Sequence, residues 1–322
     1  MVKGRVSVVL PSNGEKYLVR TIQDLIEKAT GDLEIIPVLD GKWTDKPKDA
    51  PDEPNAWLPM PDDKRIKTIH FGQTKGMRAS INAGCAAATG EFLCKCDAHV
   101  MVDPGWDEVI KRNYLQDNWI LTTRRISLDP ENWCEKVTGK APVDQHFLSW
   151  AYEPDRVGAG LHGSVWVERA KARRHILLEP DLSWQGSFWV MCAKHWQRIG
   201  PMDESVAGTF CNEAQELGLK TQLGPWVGEI FVTKETKIAH WHKGKVGRGY
   251  FIDKRGMHRG AMNTIDYWMN DRWPLKKHTL RWLIEKWGGG GPGGVPSWPA
   301  DLDYAFSDEA WEKSWAFSAR PS

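Results

Sequence analysis

An aspartate and a histidine two positions apart, Asp97 and His99, directly follow an apolar run in the stretch FLCKCDAH. On an extended segment residues i and i+2 point to the same side, so both side chains can converge on one cation. A carboxylate and an imidazole suit Mn²⁺ or another borderline divalent metal. Two ligands are too few, and His240 and His242, again two apart, offer a third. The spacing predicts a metal site, and a solvated loop is the alternative.

Alternating strand-like and helix-like segments precede and carry this pair. Buried apolar runs indicate strands, and apolar residues at helical spacing indicate helices. Strands are predicted over 5–11, 33–41, 65–71 and 91–100, helices over 12–31 and 76–90, and a loop over 42–64. This order predicts an open, mostly parallel α/β sheet. Ligands of such sheets bind beyond the carboxyl ends of the strands, where Asp40 and Asp97 lie.

Composition limits the class of protein. The 322 residues carry a net charge of +1 and are 41% hydrophobic, which is globular and gives no global field for a polyanion or a membrane. The six cysteines form no C-x-x-C pair, which indicates reduced thiols and a cytoplasmic protein. The first apolar run stops at Pro11, too early for a secretion signal, and we expect no membrane partner. The 19 tryptophans fill a core or stack on sugars or bases.

The order of the motifs VSVVLP, EIIPVLDG, GMRASINAG, GEFLCKCDAH and PGW resembles that of family-2-like nucleotide-diphospho-sugar glycosyltransferases with the GT-A fold. The D-x-H form of the metal motif is similar to that of polypeptide N-acetylgalactosaminyltransferases. The segments WQGSFWVM, RIGPMDE, FCNEAQELGLK and KIAHWH continue the likeness, which covers roughly residues 4–245. It implies a Rossmann-like sheet flanked by helices, a UDP-sugar donor, and Mn²⁺ or Mg²⁺.

The resemblance also implies a role for each matching position. Asp97, His99 and His240 bind the metal, with His242 in reserve. The positions expected at the donor are Pro11, Ser12, Asp40 (on the uracil or ribose), Gly76, Ser80, Gly186 and Ser187 (both under the sugar). Beyond the metal histidine, Lys243 and Arg248 add positive charge for the phosphates, unless they belong to an ordinary solvated basic loop.

The acidic helix departs from the family pattern. Glu213 and Glu216 match its two acidic positions, but the residue after Glu213 is Ala214. Inverting relatives usually have an aspartate there as the base that deprotonates the acceptor, and alanine has no proton chemistry. Either Glu213 is the base after a shift in register, or the enzyme retains the anomeric configuration and the leaving phosphate takes the proton. We favour retention.

Three segments are predicted: a catalytic domain over 1–245, a basic and aromatic helical extension over 246–287, and a Gly/Pro linker with a tail over 288–322. Residues 241–260 interleave basic and aromatic side chains, as nucleic-acid surfaces do. The Trp-rich stretch 266–287 suits that surface or an amphipathic helix packed on the catalytic domain. The C-terminal part also resembles extensions of phage- and virus-encoded family-2-like enzymes, some of which glycosylate hydroxymethylated pyrimidines in DNA.

We therefore predict metal-dependent transfer of a hexose or N-acetylhexosamine from UDP to an acceptor hydroxyl, with hydroxymethylated DNA as the specific acceptor. Protein or polysaccharide acceptors are alternatives. So are an inactive carbohydrate- or nucleic-acid-binding GT-A protein, and a metal-dependent hydrolase or nucleotidyltransferase on a similar sheet. The sequence leaves the oligomeric state and the role of residues 300–322 open.

Overall fold

The computed structural model describes residues 1–41, 60–152, 161–205, 212–243 and 254–314. Its first part contains strands β1 (Val2–Ser12), β2 (Leu33–Asp40), β3 (Ile69–Phe71) and β4 (Gly90–Cys96), and helices α1 (Leu18–Lys28) and α2 (Met77–Ala87). The four strands are parallel in the order β3-β2-β1-β4, so the predicted α/β alternation is confirmed. The third strand is shorter than expected, because only a single bridge at Ile66 precedes Ile69.

The second part completes a mixed sheet. Its elements are β5 (Val100–Val102), α3 (Trp106–Asn113), β6 (Ile120–Asp129), β7 (Cys134–Glu135), β8 (His146–Leu148), β9 (Gly163–Val165), α4 (Val167–Ala172), β10 (Leu178–Asp181), β11 (Phe188–Cys192), α5 (Ala193–Ile199), α6 (Glu213–Leu223), β12 (Ile230–His240), α7 (Lys254–Met269), α8 (Leu280–Lys286), α9 (Leu302–Ala305) and α10 (Asp308–Glu312). The main order is β10-β12-β6-β11-β4-β1-β2-β3. Strand β11 is antiparallel to both β4 and β6, β12 is parallel to β6, and β5 and β10 are antiparallel to β12.

Apolar side chains on both faces of β1 explain its central place. Val6, Val8 and Leu10 pack in one buried cluster with α1, and Val9 packs in another with Ile81 of α2. Helices on both faces leave no room for polar alternation, which is why the strand is a continuous apolar run.

The residues after β12 form a third apolar cluster with the sheet domain. Trp268 and Trp273 are buried there against Leu219 and Leu223 of α6. Trp298 is buried as well, and its indole N–H donates to the backbone oxygen of Leu148 at 2.7 Å. The tryptophans of 266–287 therefore pack on the sheet domain, as the amphipathic-helix alternative expects.

The Gly/Pro segment 288–299 is a tight fold of the backbone and does not run as an open linker. Val295 is fully buried, and its N–H donates to the oxygen of Gly289 at 2.7 Å. A Cβ at Gly290 would lie 1.9 Å from the oxygen of Pro299. Composition predicted flexibility because it cannot distinguish glycines that permit close backbone approach from glycines that loosen a chain. The three-segment division itself stays a prediction.

No helix in the described ranges is both long enough and apolar enough to cross a membrane.

Candidate metal centre and its surroundings

Strand ends bring Asp97, His99 and His240 together. Asp97 follows the last residue of β4, and its N–H donates to the oxygen of Ser187 at 2.9 Å. His99 precedes β5, and His240 ends β12, which pairs with β5 so that His240 is opposite Val100. One ligand atom from each of the three side chains lies within 4.8 Å of the others. A carboxylate oxygen and two imidazole nitrogens thus face one point.

The two carboxylate oxygens of Asp97 have different partners. The ammonium of Lys95 contacts Oδ1, whereas Oδ2 lies 3.1 Å from His240 Nε2 and 3.8 Å from His99 Nε2. Burial alone would raise the pKa of Asp97, but Lys95 and the two imidazoles outweigh it and hold that pKa well below its usual range. Asp97 is therefore ionised and presents Oδ2 to the histidines.

The buried imidazole of His240 is suited to a metal. Burial lowers its pKa to about 3, against the opposing effect of Asp97, so the ring is neutral at physiological pH. Its Nδ1 is buried and has no hydrogen-bond partner in the part of the chain that the structure describes. Deprotonated carboxylate and neutral imidazole are the forms that bind metals. The donor set fits Mn²⁺ and related divalent ions.

His242 does not belong to this group. Within the described ranges the three residues above form the one cluster of acidic, histidine and cysteine side chains able to hold a metal ion. The His242 ring meets the His240 ring edge-on, with centroids 4.6 Å apart, and the residue is exposed.

A second carboxylate, Glu15, lies behind His99. One of its oxygens is 3.3 Å from His99 Nδ1 and also contacts the ammonium of Lys243. Burial raises the pKa of Glu15, but His99 and Lys243 more than offset it and the pKa is lowered. Carboxylates in this position orient metal-binding histidines. Sequence reasoning missed Glu15, although it follows the carboxyl end of β1 as Asp97 follows that of β4.

Arg125 on β6 was also missed. Its side chain is buried, and its guanidinium donates to the amide oxygen of Gln185. Burial lowers the pKa of Arg125 to about 10, against the opposing effect of Asp97. The residue after Gln185 is Gly186, whose oxygen accepts from the ammonium of Lys95. Arg125 therefore borders the cluster.

The positions expected at the donor fall into two sets. The carboxylate of Asp40 accepts from the backbone N–H groups of Lys75 at 2.6 Å and Gly76 at 2.9 Å, at the start of α2. Ser80 is buried and donates to the oxygen of Gly76 at 2.9 Å. Pro11 and Ser12 are buried at the end of β1, and the Ser12 hydroxyl has no hydrogen-bond partner among the described residues. These residues surround the carboxyl ends of β1 and β2.

The second set is nearer Asp97, His99 and His240. A Cβ at Gly186 would meet no atom of the described residues within 4 Å, so the backbone there borders space that they leave open. Ser187 is buried, and its oxygen holds the backbone of Asp97. Lys243 contacts Glu15, as described above, and Arg248 lies outside the described residues.

The two glutamates of α6 have different surroundings. Glu216 is buried, pairs with Arg78, lies 2.7 Å from the ammonium of Lys220, and accepts from the N–H of Asp203 at 2.9 Å. Glu213 is partly exposed in the first turn of the helix. Glu216 therefore holds structure together, and Glu213 is the acid open to a ligand.

Comparison with known proteins supports a glycosyltransferase. The family model "Glycosyl transferase family 2" matches residues 7–166. An "Uncharacterized glycosyltransferase" of Haemophilus influenzae is 32% identical over 111 residues, 34% of this chain and 32% of that protein. "Glycosyltransferase GlyG" of Streptococcus pneumoniae is 30% identical over 112 residues, 34% of this chain and 33% of that protein. The chain thus aligns with about a third of the length of these curated relatives.

A solved structure supports the fold. The crystal structure of GalNAc-T7 with UDP, GalNAc and Mn²⁺ superimposes with a TM-score of 0.61 at 14% identity, covering 83% of this chain and 49% of that one. The architecture is that of the GT-A glycosyltransferases, a central sheet flanked by helices.

Proposed function

We propose that this protein is a metal-dependent glycosyltransferase that moves a hexose or N-acetylhexosamine from UDP to an acceptor hydroxyl. The observation that carries the proposal is the convergence of Asp97, His99 and His240 at strand ends of a GT-A sheet. The GalNAc-T7 crystal structure contains UDP and Mn²⁺, which supports the same donor class and metal here.

The chemistry breaks the bond between the sugar's anomeric carbon and a phosphate oxygen, and that oxygen keeps the electron pair. A divalent ion held by the three ligands would stabilise the charge that develops on the leaving diphosphate. Asp97 would hold that ion through Oδ2, because Lys95 occupies Oδ1. Glu15 would keep the His99 ring in position.

We propose that the sugar keeps its anomeric configuration. The new bond joins the acceptor oxygen to the anomeric carbon, and the acceptor proton passes to the leaving phosphate oxygen. Ala214 has no proton chemistry, and the Glu216 oxygens already accept from Arg78, Lys220 and Asp203. Neither position supplies the base of an inverting reaction, whereas Glu213 can position sugar or acceptor.

Hydroxymethylated pyrimidine in DNA is the acceptor we would test first, with protein and polysaccharide as the alternatives. A base in a duplex would have to be flipped out to reach the site. The supporting feature is the basic, aromatic stretch 241–260, of which residues 244–253 lie outside the described part. Beyond them, Arg259 is exposed on α7.

Release of UDP from a donor without acceptor tests the function. The protein is incubated with UDP-glucose, UDP-galactose and their N-acetyl forms, with Mn²⁺ or with EDTA, and the released UDP is measured. The variant Asp97→Asn is measured in the same way. Metal-dependent release from one donor, absent in the variant, is expected. Release of pyrophosphate would indicate a nucleotidyltransferase. Donor binding by calorimetry with no release, even with the acceptors present, would indicate a binding protein.

A further inference from the structure

Five lysine and arginine residues are buried, by whole-residue exposure, in the described part of the chain: Arg78, Lys95, Arg125, Lys220 and Lys234. Four of them form ion pairs with carboxylates. Arg78 and Lys220 pair with Glu216, Lys95 with Asp97, and Lys234 with Glu179. Arg125 is the exception, because no carboxylate of the described residues forms an ion pair with it and its side-chain partner is the amide oxygen of Gln185.

An unpaired buried guanidinium is costly. Removing a charge from water is strongly unfavourable unless an opposite charge compensates it. A guanidinium also has five N–H donors; one nitrogen of Arg125 donates to Gln185, and none of the others is a fully buried atom without a partner, so they are open to solvent or to a ligand. Where this chain uses a buried arginine for structure, as at Arg78, it supplies a carboxylate. Asp97 raises the pKa of Arg125 without forming an ion pair with it, so Arg125 has the surroundings of a group that takes a closer counter-charge from a ligand.

The sheet directs Arg125 toward the metal ligands. Strands β6 and β12 are parallel, with Arg125 opposite Ile238 and Ser127 opposite His240. Residues two apart on a strand share a face, so Arg125 and His240 lie on the same face of adjacent strands. On its other side Arg125 contacts Gln185, which adjoins the open backbone at Gly186. An anion held by the metal ligands would be within reach of this guanidinium.

We propose that Arg125 binds the diphosphate of the donor, beside the group formed by Asp97, His99 and His240. This assignment rests on the proposed function and adds a residue to it. A guanidinium presents parallel N–H groups that match two phosphate oxygens, and it remains charged at every physiological pH. Arg125 would thus neutralise, on the protein side, charge that grows on the diphosphate as the glycosidic bond breaks.

Calorimetry tests the assignment without any turnover. Wild type, Arg125→Met, Arg125→Lys and the exposed control Arg112→Met are titrated with UDP in Mn²⁺, and with GDP, ADP, CDP and dTDP in the same buffer. Loss of a charge-assisted phosphate contact should weaken the binding of the preferred diphosphate by roughly 10- to 100-fold in Arg125→Met. The affinity of Arg125→Lys for the diphosphate should lie between those of wild type and Arg125→Met, and the affinity of Arg112→Met should equal that of wild type. Uridine, which has no phosphate, should bind all four proteins alike.

Thermal unfolding separates binding from structure. Replacing an unpaired buried cation by an apolar side chain of similar length should leave the melting temperature of Arg125→Met unchanged or raise it. Equal diphosphate affinity in wild type and Arg125→Met overturns the assignment and leaves the proposed function standing. A markedly lower melting temperature with equal loss of uridine and diphosphate binding shows a structural role and also overturns it. If wild type binds none of the diphosphates, the proposed function fails and the assignment fails with it.

Discussion

His240 Nε2 lies 3.1 Å from Asp97 Oδ2, although 143 positions separate the two residues in the chain. Antiparallel pairing of β12 with β5 creates this contact, because it sets His240 opposite Val100, the neighbour of His99. The proposed metal site of Asp97, His99 and His240 therefore depends on the pairing of β5 with β12.

Replacing His240 tests the third ligand. His240→Ala should lose Mn²⁺ binding in a titration followed by electron paramagnetic resonance, and donor turnover should fall by at least about 100-fold, because two ligands hold a divalent ion poorly. His242→Ala is the matched control, since its ring touches His240 but is outside the group. If His242→Ala lost Mn²⁺ binding and His240→Ala kept it, His242 and not His240 would be the third ligand.

Glu15→Gln should weaken Mn²⁺ binding by about 10- to 100-fold, because the carboxylate beside His99 Nδ1 orients that ring. Glu131→Gln is the control, as Glu131 is an exposed acid that contacts Lys16 and the hydroxyl of buried Tyr17. The same metal titration measures both. Equal affinity in Glu15→Gln and wild type would show that His99 needs no carboxylate behind it.

Substitution of the two glutamates of α6, Glu213 and Glu216, should affect different properties of the protein: activity for Glu213 and stability for Glu216. Glu216→Ala removes the partner of Arg78 and should lower the free energy of unfolding by about 3 kcal/mol in urea. Glu213→Gln should leave that free energy unchanged and lower kcat more than donor affinity, if Glu213 positions the sugar or acceptor. Unchanged turnover in Glu213→Gln would remove it from the site. Proton NMR of the product reports retention or inversion independently.

Acid should destabilise the fold through buried His195. Burial lowers its pKa to about 4 from 6.5, and its ring Nε2 lies 2.9 Å from the hydroxyl of Thr221. Between pH 6.5 and 4 the unfolded chain binds a proton at this residue and the folded protein does not. Its contribution to stability is thus constant above 6.5 and falls with pH below it, by about 2 kcal/mol at pH 5.

Urea unfolding at pH 7 and pH 5 checks this. His195→Gln should lose less stability between the two pH values than wild type. Exposed His175→Gln should show the wild-type difference. If the loss of stability between pH 7 and pH 5 were the same in His195→Gln and His175→Gln, His195 would be protonated in the folded protein at pH 5.

The Gly/Pro segment offers a stability test of its own. Gly290→Ala should cost several kcal/mol, because its Cβ would overlap the backbone of Pro299. Gly293 has a φ of +85° and open space around it, so Gly293→Ala should cost only about 1–2 kcal/mol of backbone strain. Thermal unfolding of both variants measures the difference. Small and equal changes in melting temperature in both variants would mean that residues 288–299 are flexible in solution.

The sequence predicted those parts of the fold and site that arise from local pattern. Strands β1, β2 and β4 are apolar runs, and Asp97 follows one of them, so their parallel arrangement and the position of the pair could be inferred. The insertion of β11 between β4 and β6 is a long-range choice that no local pattern records. Arg125 was missed for the same reason, since the two adjacent arginines in ILTTRRIS carry no sign that Arg124 pairs with Asp144 whereas Arg125 forms no ion pair with a carboxylate of the described residues.

The insertion of β11 also bears on how the chain folds during its synthesis. Strand β4 is complete at Cys96, but its partner β11 begins only at Phe188, and β6 is made in between. Because synthesis proceeds at about 5–20 residues per second, the hydrogen-bonding edge of β4 stays unpaired for several seconds before β11 has been made. An apolar strand with an open edge is prone to pair with another chain, so we expect expression yield to depend on temperature and on chaperones.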